Sequence, residues 1–145
     1  MSILSAERIR LQATAVDKAD AIRQAGQLLV DTGCVQVRYV DGMLARENTM
    51  STYLGNGVSI PHGQHENRED ILKTGISVLQ LPAGVEWEDG EKAFLVIGIA
   101  ASSDEHVGVL ANLAEVIEDE DMTQQLIRTT DAAMILDQLS KQPTE

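Results

Sequence analysis

The spacing of apolar residues along the chain predicts helices and strands in alternation. Apolar residues recur at helical intervals between residues 17 and 32 and stop at Gly33, so this segment is predicted to be an amphipathic helix. Residues 8–11 alternate between charged and apolar side chains, which predicts a short opening strand. A second helical pattern begins at residues 39–44 and delivers Arg46 to a following loop.

The remainder of the chain predicts more strands and three more helices. Residues 51–63 contain turn chemistry and a short apolar stretch that ends in proline, so they are predicted to be loop and strand end. Residues 75–81 alternate in part, and residues 93–101 form a continuous apolar run typical of a strand covered on both faces. Helical patterns follow at residues 107–117, 122–127 and 132–139. This order predicts a layered α/β domain with a mixed sheet.

Length and composition indicate a single globular unit. The 145 residues, 43% of them hydrophobic, suffice for one domain that runs from residue 1 to 145, with residues 142–145 as a frayed tail. No stretch reaches the roughly 20 apolar residues of a membrane span, and residues 1–10 lack the features of a secretion signal. We therefore expect a soluble, cytoplasmic protein.

The charge and the single cysteine exclude some functions. The formal net charge of -12 repels nucleic-acid phosphates, and 3% aromatic residues leave few rings for bases to stack on, so no nucleic-acid partner is expected. The same charge would attract a basic protein, although solubility alone also explains it. Cys34 cannot form an internal disulfide and is predicted to be a buried apolar thiol.

Three histidines follow predicted strands or begin a predicted helix. His62, His65 and His106 are therefore expected near the carboxyl edge of the sheet, where α/β domains gather functional groups. His62 lies between Pro61, which fixes the direction of the chain, and Gly63, which removes side-chain bulk. Such an imidazole suits phosphoryl carriage, because its neutral ring nitrogen is nucleophilic near pH 7. The Pro-His-Gly string on its own could equally be an ordinary turn.

Two further residues could bind a phosphoryl group beside His62. His106 falls in the first turn of a predicted helix, where unpaired backbone N–H groups attract anions; alternatively, it is a solvated histidine. Arg46 offers a permanent charge and a planar fork for phosphoryl oxygens. The alternative for Arg46 is a surface ion pair, for instance with Glu47.

A hydrolytic zinc enzyme is a second hypothesis from the same histidines. His62, His65 and His106 could supply three imidazoles to zinc, with Glu105 or Glu66 as a base. The His-x-x-His spacing of residues 62–65 permits this geometry but is not specific to it.

The motifs around these residues resemble one bacterial family over nearly the whole chain. The segments of this chain that carry the resemblance are Met43-Leu44-Ala45-Arg46-Glu47, Ser51-Thr52-Tyr53-Leu54-Gly55-Asn56-Gly57, Ile60-Pro61-His62-Gly63, Lys73-Thr74-Gly75-Ile76, Leu95-Val96-Ile97-Gly98-Ile99-Ala100 and Asp104-Glu105-His106. In these strings the chain resembles the mannitol-type enzyme IIA proteins of the phosphoenolpyruvate-dependent sugar phosphotransferase system.

The resemblance implies a fold, a reaction and partners. It implies a mixed five-stranded sheet flanked by helices, and a phosphotransferase in which His62 is phosphorylated while His106 and Arg46 support the transfer. It also implies HPr as the phosphoryl donor and the cysteine of an enzyme IIB as the acceptor, with indirect membrane association through the permease. The chemistry requires neither a cofactor nor a metal.

Two points of the resemblance stay open. The family commonly lacks a histidine at the position of His65, so no role is transferred to it, and an exposed loop residue is expected. Residues 53–56 favour the mannitol branch over the nitrogen-regulatory enzyme IIA proteins, although other hexitols fit as well. A regulatory protein, in which phosphorylated His62 is a signal instead of a relay step, is therefore a third hypothesis.

Overall fold

A mixed five-stranded sheet forms the centre of the molecule. The computed structural model describes residues 4–88, 90–101 and 103–139, with the side chains in these ranges except those of residues 65 and 103–107. The strands are β1 (Ile9–Arg10), β2 (Tyr53–Gly55), β3 (Val58–Ser59), β4 (Gly75–Glu88) and β5 (Glu91–Ala100). Their spatial order is β1-β4-β5-β3-β2, with β1 parallel to β4 and β3 parallel to β5. The predicted mixed sheet is confirmed.

Strands β4 and β5 form a long antiparallel hairpin at the centre of this sheet. Ile76 pairs with Ile99 near one end, and Glu88 pairs with Glu91 at the other. The register shifts between Gln80 and Val85, so β4 continues past Pro82. The sequence pattern predicted this strand only over residues 75–81, because proline and glycine normally interrupt a strand. A bulge accommodates both residues here.

Five helices of the described chain cover the sheet, together with two 3-10 turns at Ala6–Arg8 and His65–Asp70. The helices are α1 (Lys18–Asp31), α2 (Tyr39–Thr49), α3 (Ser103–Glu118), α4 (Glu120–Arg128) and α5 (Ala132–Leu139). All five lie where apolar spacing predicted helices, but α2 continues to Thr49, so Arg46 is in its last turn and not in the following loop. Helix α1 begins at the N-cap Asp17, whose side chain accepts a hydrogen bond from the Asp20 N–H.

Both faces of the sheet are buried in separate apolar cores. One core packs Leu79 and Val96 of the sheet against α1 and α2, and it includes Cys34, which is fully buried as predicted. The other packs Val78 and Ile97 against α3, α4 and α5. Because adjacent strand residues point to opposite faces, the continuous apolar run of β5 supplies both cores. None of the helices in the described ranges has the length and apolar character needed to cross a bilayer.

The hairpin of β2 and β3 was not predicted from the sequence. Asn56 has a φ of 53° and Gly57 a φ of 81°, so both residues of this turn adopt the left-handed region that glycine and asparagine tolerate best. Strand β3 then pairs in parallel with β5 and brings the segment that carries His62 into the sheet. Residues 51–63 were expected to be loop and strand end. They instead contain two short strands, β2 and β3, which pair with each other at one side of the sheet.

Candidate active site

His62 lies beside the carboxyl end of β5. After β3, the chain continues parallel to β5 and forms an isolated bridge between His62 and Ile99. The Ile99 N–H donates a hydrogen bond of 3.0 Å to the Pro61 carbonyl. Carboxyl ends of parallel strands commonly carry the functional groups of α/β proteins, and the predicted position of His62 at this edge is confirmed. The residue is half-buried, so it is not enclosed in either core.

A backbone contact fixes the tautomer of the His62 ring. Nδ1 lies 2.8 Å from the carbonyl oxygen of Ile60. Because a carbonyl oxygen can only accept a hydrogen bond, Nδ1 must be the donor and carry the proton. In a neutral imidazole the other nitrogen, Nε2, then holds the lone pair and is the nucleophilic atom.

The backbone before His62 is tied to a buried carboxylate on α2. The Ile60 N–H donates to the Thr52 carbonyl at 3.0 Å. Thr52 in turn donates to Glu47 twice, from its N–H at 3.0 Å and from its hydroxyl at 2.5 Å. Glu47 is only 4% exposed, and it also accepts from Trp87 Nε1 at 2.9 Å, with Lys18 Nζ at 3.8 Å. Burial is tolerated because donors surround the carboxylate.

The backbone after His62 is tied to a tyrosine of the same helix. The Gly63 N–H donates to the Tyr39 hydroxyl at 2.9 Å, and this hydroxyl donates to the Ile99 carbonyl at 2.9 Å. Tyr39 is 3% exposed, and its burial raises the pKa of the phenol to about 12, so the hydroxyl stays protonated at neutral pH. A Cβ at position 63 would lie 2.6 Å from Cε1 of the Tyr39 ring, which explains the glycine.

Arg46 lies on the face of α2 that carries Tyr39. It follows Tyr39 by seven residues, which is two helical turns, so both side chains leave the helix in nearly the same direction. Arg46 is half-buried in the last turn, and its Nη1 donates to the Met50 carbonyl at 2.7 Å. Its suggested ion pair with Glu47 is not what the structure shows, because the Glu47 carboxylate is bound by Thr52 and Trp87.

The amino end of α3 lies at the same edge of the sheet as His62. Helix α3 begins at Ser103, four residues after Ile99, the bridge partner of His62. His106 is in the first turn of this helix, as predicted, but its side chain lies outside the described part of the structure. The side chain of His65, which begins the 3-10 turn at His65–Asp70, also lies outside the described part of the structure.

Sequence reasoning missed Tyr39 and Glu47 as parts of this site. In the sequence, Tyr39 is one position of a helical pattern, and Glu47 is only a possible ion-pair partner for Arg46. The glycine after His62 was a usable signal, because an obligatory small residue indicates that another group approaches the backbone closely. Nothing local indicates that this group is Tyr39.

Comparison with known proteins places the fold in one class, the phosphotransferase-system IIA proteins. Residues 2–142 match the model of the family described as phosphoenolpyruvate-dependent sugar phosphotransferase system, EIIA 2. The chain belongs to this family. The structure superposes with a TM-score of 0.88 on enzyme IIA mannitol of Escherichia coli, solved in complex with phosphorylated enzyme IIB mannitol. The two are 40% identical, over 93% of this chain and 95% of that one.

The chain matches relatives that are much longer than itself and relatives of about its own length. A multiphosphoryl transfer protein of Escherichia coli O157:H7 is 50% identical over 129 residues, which are 89% of this chain but only 34% of that protein. The mannitol-specific phosphotransferase enzyme IIA component of Bacillus subtilis is 42% identical over 88% of this chain and 89% of its own length. The chain therefore spans about a third of the first relative and nearly the whole of the second.

Proposed function

We propose that this chain is a phosphocarrier that accepts a phosphoryl group from phospho-HPr on His62 and passes it to the cysteine of an enzyme IIB during sugar uptake. The observation that carries the proposal is the half-buried His62 imidazole at the carboxyl end of β5, with Nδ1 held by the Ile60 carbonyl. The full-length relative from Bacillus subtilis supports mannitol or another hexitol as the sugar taken up.

The tautomer of His62 defines the chemistry of the transfer. Nε2 attacks the phosphorus in line, and its new N–P bond forms as the bond to the donor histidine breaks. Nδ1 keeps its proton throughout, and the Ile60 carbonyl stabilises the positive charge that the ring gains. In the second step the thiolate of enzyme IIB attacks the same phosphorus, and Nε2 regains its lone pair.

Positive groups around His62 stabilise the charge of the phosphoryl group in transit. We assign this role to the Arg46 guanidinium, to His106 and to the backbone N–H groups at the amino end of α3. The placement of Arg46 on the Tyr39 face of α2 supports its part, since Tyr39 contacts the residue after His62. Ser103, the first residue of α3, lies close in sequence to Ile99 and supports the helix contribution.

The partners and the location follow from this reaction. HPr and enzyme IIB are cytoplasmic in such a relay, so the chain would work in the cytoplasm and meet the membrane only through the permease. The net charge of -12 would speed the encounter with a basic HPr surface. An association rate that does not fall as salt is added would contradict this electrostatic assistance.

The experiment compares two histidine variants for acid-labile phosphorylation by phospho-HPr. His62→Ala should accept no phosphate, because the nucleophile is gone, whereas His65→Ala should be labelled like the unmodified protein. Normal labelling of His62→Ala would refute the proposal. A further incubation with enzyme IIB separates a relay from a signal, because only a relay transfers its phosphate to a cysteine.

The zinc hydrolase hypothesis receives no support from the comparisons, which lead to the phosphotransferase family. Two of its three histidines, His65 and His106, have side chains outside the described part of the structure. Metal analysis of protein prepared without chelators would test it, and one zinc per chain would favour it over the phosphocarrier.

A further inference from the structure

The Tyr39 hydroxyl bonds to both backbone groups of one hydrogen-bonded pair in the ladder between the His62 segment and β5. In a parallel bridge between His62 and Ile99, the Ile99 N–H pairs with the Pro61 carbonyl, and this bond is present at 3.0 Å. The second pair of groups in this bridge is the Gly63 N–H and the Ile99 carbonyl. The Tyr39 hydroxyl bonds to both of these groups at 2.9 Å.

This arrangement fixes the orientation of the peptide group that follows His62. The Pro61 carbonyl is held by β5, and the Gly63 N–H is held by Tyr39, so the backbone is fixed on both sides of His62. The ring is fixed at a third point, where Nδ1 contacts the Ile60 carbonyl. These three contacts, one from β5, one from α2 and one within the His62 segment, restrict where Nε2 points.

The Tyr39 side chain itself has little freedom to move. Its ring is buried, and a Cβ at position 63 would lie 2.6 Å from Cε1, so the ring touches the backbone after His62. One hydroxyl donates to Ile99 and accepts from Gly63, which uses its single proton and one lone pair. Its raised pKa keeps that proton in place at physiological pH.

We propose that Tyr39 is a positioning residue for phosphoryl transfer, whose hydroxyl holds the Gly63 N–H and thereby aims the His62 imidazole at the incoming phosphorus. This inference rests on the proposed function of His62. It adds a residue that does not touch the phosphoryl group and acts only through the backbone beside the nucleophile.

Removing the hydroxyl would change the backbone at Gly63. In Tyr39→Phe the ring remains, but the Gly63 N–H and the buried Ile99 carbonyl lose their shared partner. Only the direct ladder contact between these two groups then remains, and its tightening draws Gly63 toward β5 and turns the peptide after His62. A displacement of about 1 Å in a reacting group can slow a reaction by about 100-fold.

The chain offers a matched control in its other tyrosine. The Tyr53 hydroxyl accepts from the Gly57 N–H at 3.1 Å and lies 3.4 Å from a carboxylate oxygen of Glu91. Tyr53→Phe therefore removes the same kind of tyrosine-to-glycine contact. Because Glu91 is the first residue of β5 and Ile99 is near its end, this contact is far from His62.

The test measures single-turnover transfer from saturating phospho-HPr, so that association does not limit the rate. We expect Tyr39→Phe to be slower by about 10-fold to 100-fold and Tyr53→Phe to match the unmodified protein. The ¹⁵N signals of the His62 ring should move in Tyr39→Phe and stay in place in Tyr53→Phe. A purely structural role for Tyr39 would lower stability without moving either readout in folded protein.

Gly63→Ala provides a second variant in case Tyr39→Phe does not fold. The added Cβ displaces the backbone from the Tyr39 ring, so transfer should slow as well. Wild-type rates and ring signals in either folded variant would overturn the inference, as would equal slowing in Tyr39→Phe and Tyr53→Phe. If the unmodified protein is not phosphorylated at His62, the proposed function fails and the inference fails with it.

Discussion

Helices α1 and α2 cover the same face of the sheet but bury different kinds of side chain. The buried residues of α1 have no polar side-chain atoms: Ala21, Ile22, Ala25, Gly26, Leu28 and Leu29. The buried residues of α2 are Tyr39, Gly42, Met43 and Glu47, and two of these four carry a polar group with fixed partners. Apolar contacts stabilise many similar arrangements, whereas a buried polar group requires its partner in one place. Helix α1 therefore mainly stabilises the fold, whereas the buried polar groups of α2 also fix the positions of the residues that they bond to.

The largest expected effect is the loss of stability when a buried apolar residue of α1 is truncated. Leu29 is fully buried against the sheet, so Leu29→Ala should lower the free energy of unfolding by about 2–5 kcal/mol. Urea denaturation measures this loss. The transfer rate per folded molecule should stay unchanged, because Leu29 lies in the apolar core, whereas the contacts described for the His62 backbone come from Tyr39, Thr52 and Ile99. A Leu29→Ala protein with unchanged stability and slow transfer would contradict the contrast drawn between α1 and α2.

A substitution on α2 is expected to have a smaller effect, and this effect should appear in the rate of phosphoryl transfer and not in stability. Arg46→Ala should slow transfer by about 100-fold, or about 2.7 kcal/mol in the barrier, because the proposed mechanism then loses a charged donor to the phosphoryl oxygens. The free energy of unfolding should change by no more than about 0.5 kcal/mol. Single-turnover kinetics and urea denaturation test the two statements.

The control for Arg46 lies on α1. Arg23 is exposed on that helix, so Arg23→Ala removes the same charge without approaching the site. It should transfer at the unmodified rate. Equal rates for Arg46→Ala and Arg23→Ala would remove Arg46 from the mechanism and leave Tyr39 as the residue of α2 that is proposed to act on transfer.

The smallest effect concerns the buried carboxylate of α2. In Glu47→Gln the amide oxygen can still accept from the Thr52 N–H and the Trp87 Nε1–H, and the amide N–H can donate to the Thr52 hydroxyl. What is lost is the charge that strengthens these bonds, so we expect a loss of about 1 kcal/mol in urea denaturation. Glu47→Ala leaves both N–H groups unpaired and should cost more. Equal losses in the two variants would show that the hydrogen bonds at Glu47 do not matter.

The helices and the central strand were predictable because their signals are local. Apolar spacing over residues 17–32 and 93–101 predicted α1 and β5, and turn residues predicted the end of α1. The hairpin of β2 and β3 was missed because its strands have only three and two residues, which are too short to show a period. These strands form because β5 offers an edge to pair with, and that edge is distant in sequence.

The same distinction applies to the candidate site. His62 was predictable because its proline and glycine are adjacent in sequence. Tyr39 was not, because its hydroxyl meets Gly63 across 24 residues, and the indole of Trp87 meets Glu47 across 40. A contact of this kind depends on the packing of α2 against the sheet, which no local pattern encodes.

The most direct test of the account is to identify the nitrogen that carries the phosphate. Protein with ¹⁵N-labelled histidine would be incubated with phosphoenolpyruvate, enzyme I and HPr, and its ring signals recorded before and after by NMR. We expect a neutral His62 ring protonated at Nδ1 beforehand, and phosphorus bonded to Nε2 of His62 afterwards. Phosphorus on Nδ1, on His65 or His106, or on no histidine would contradict the account.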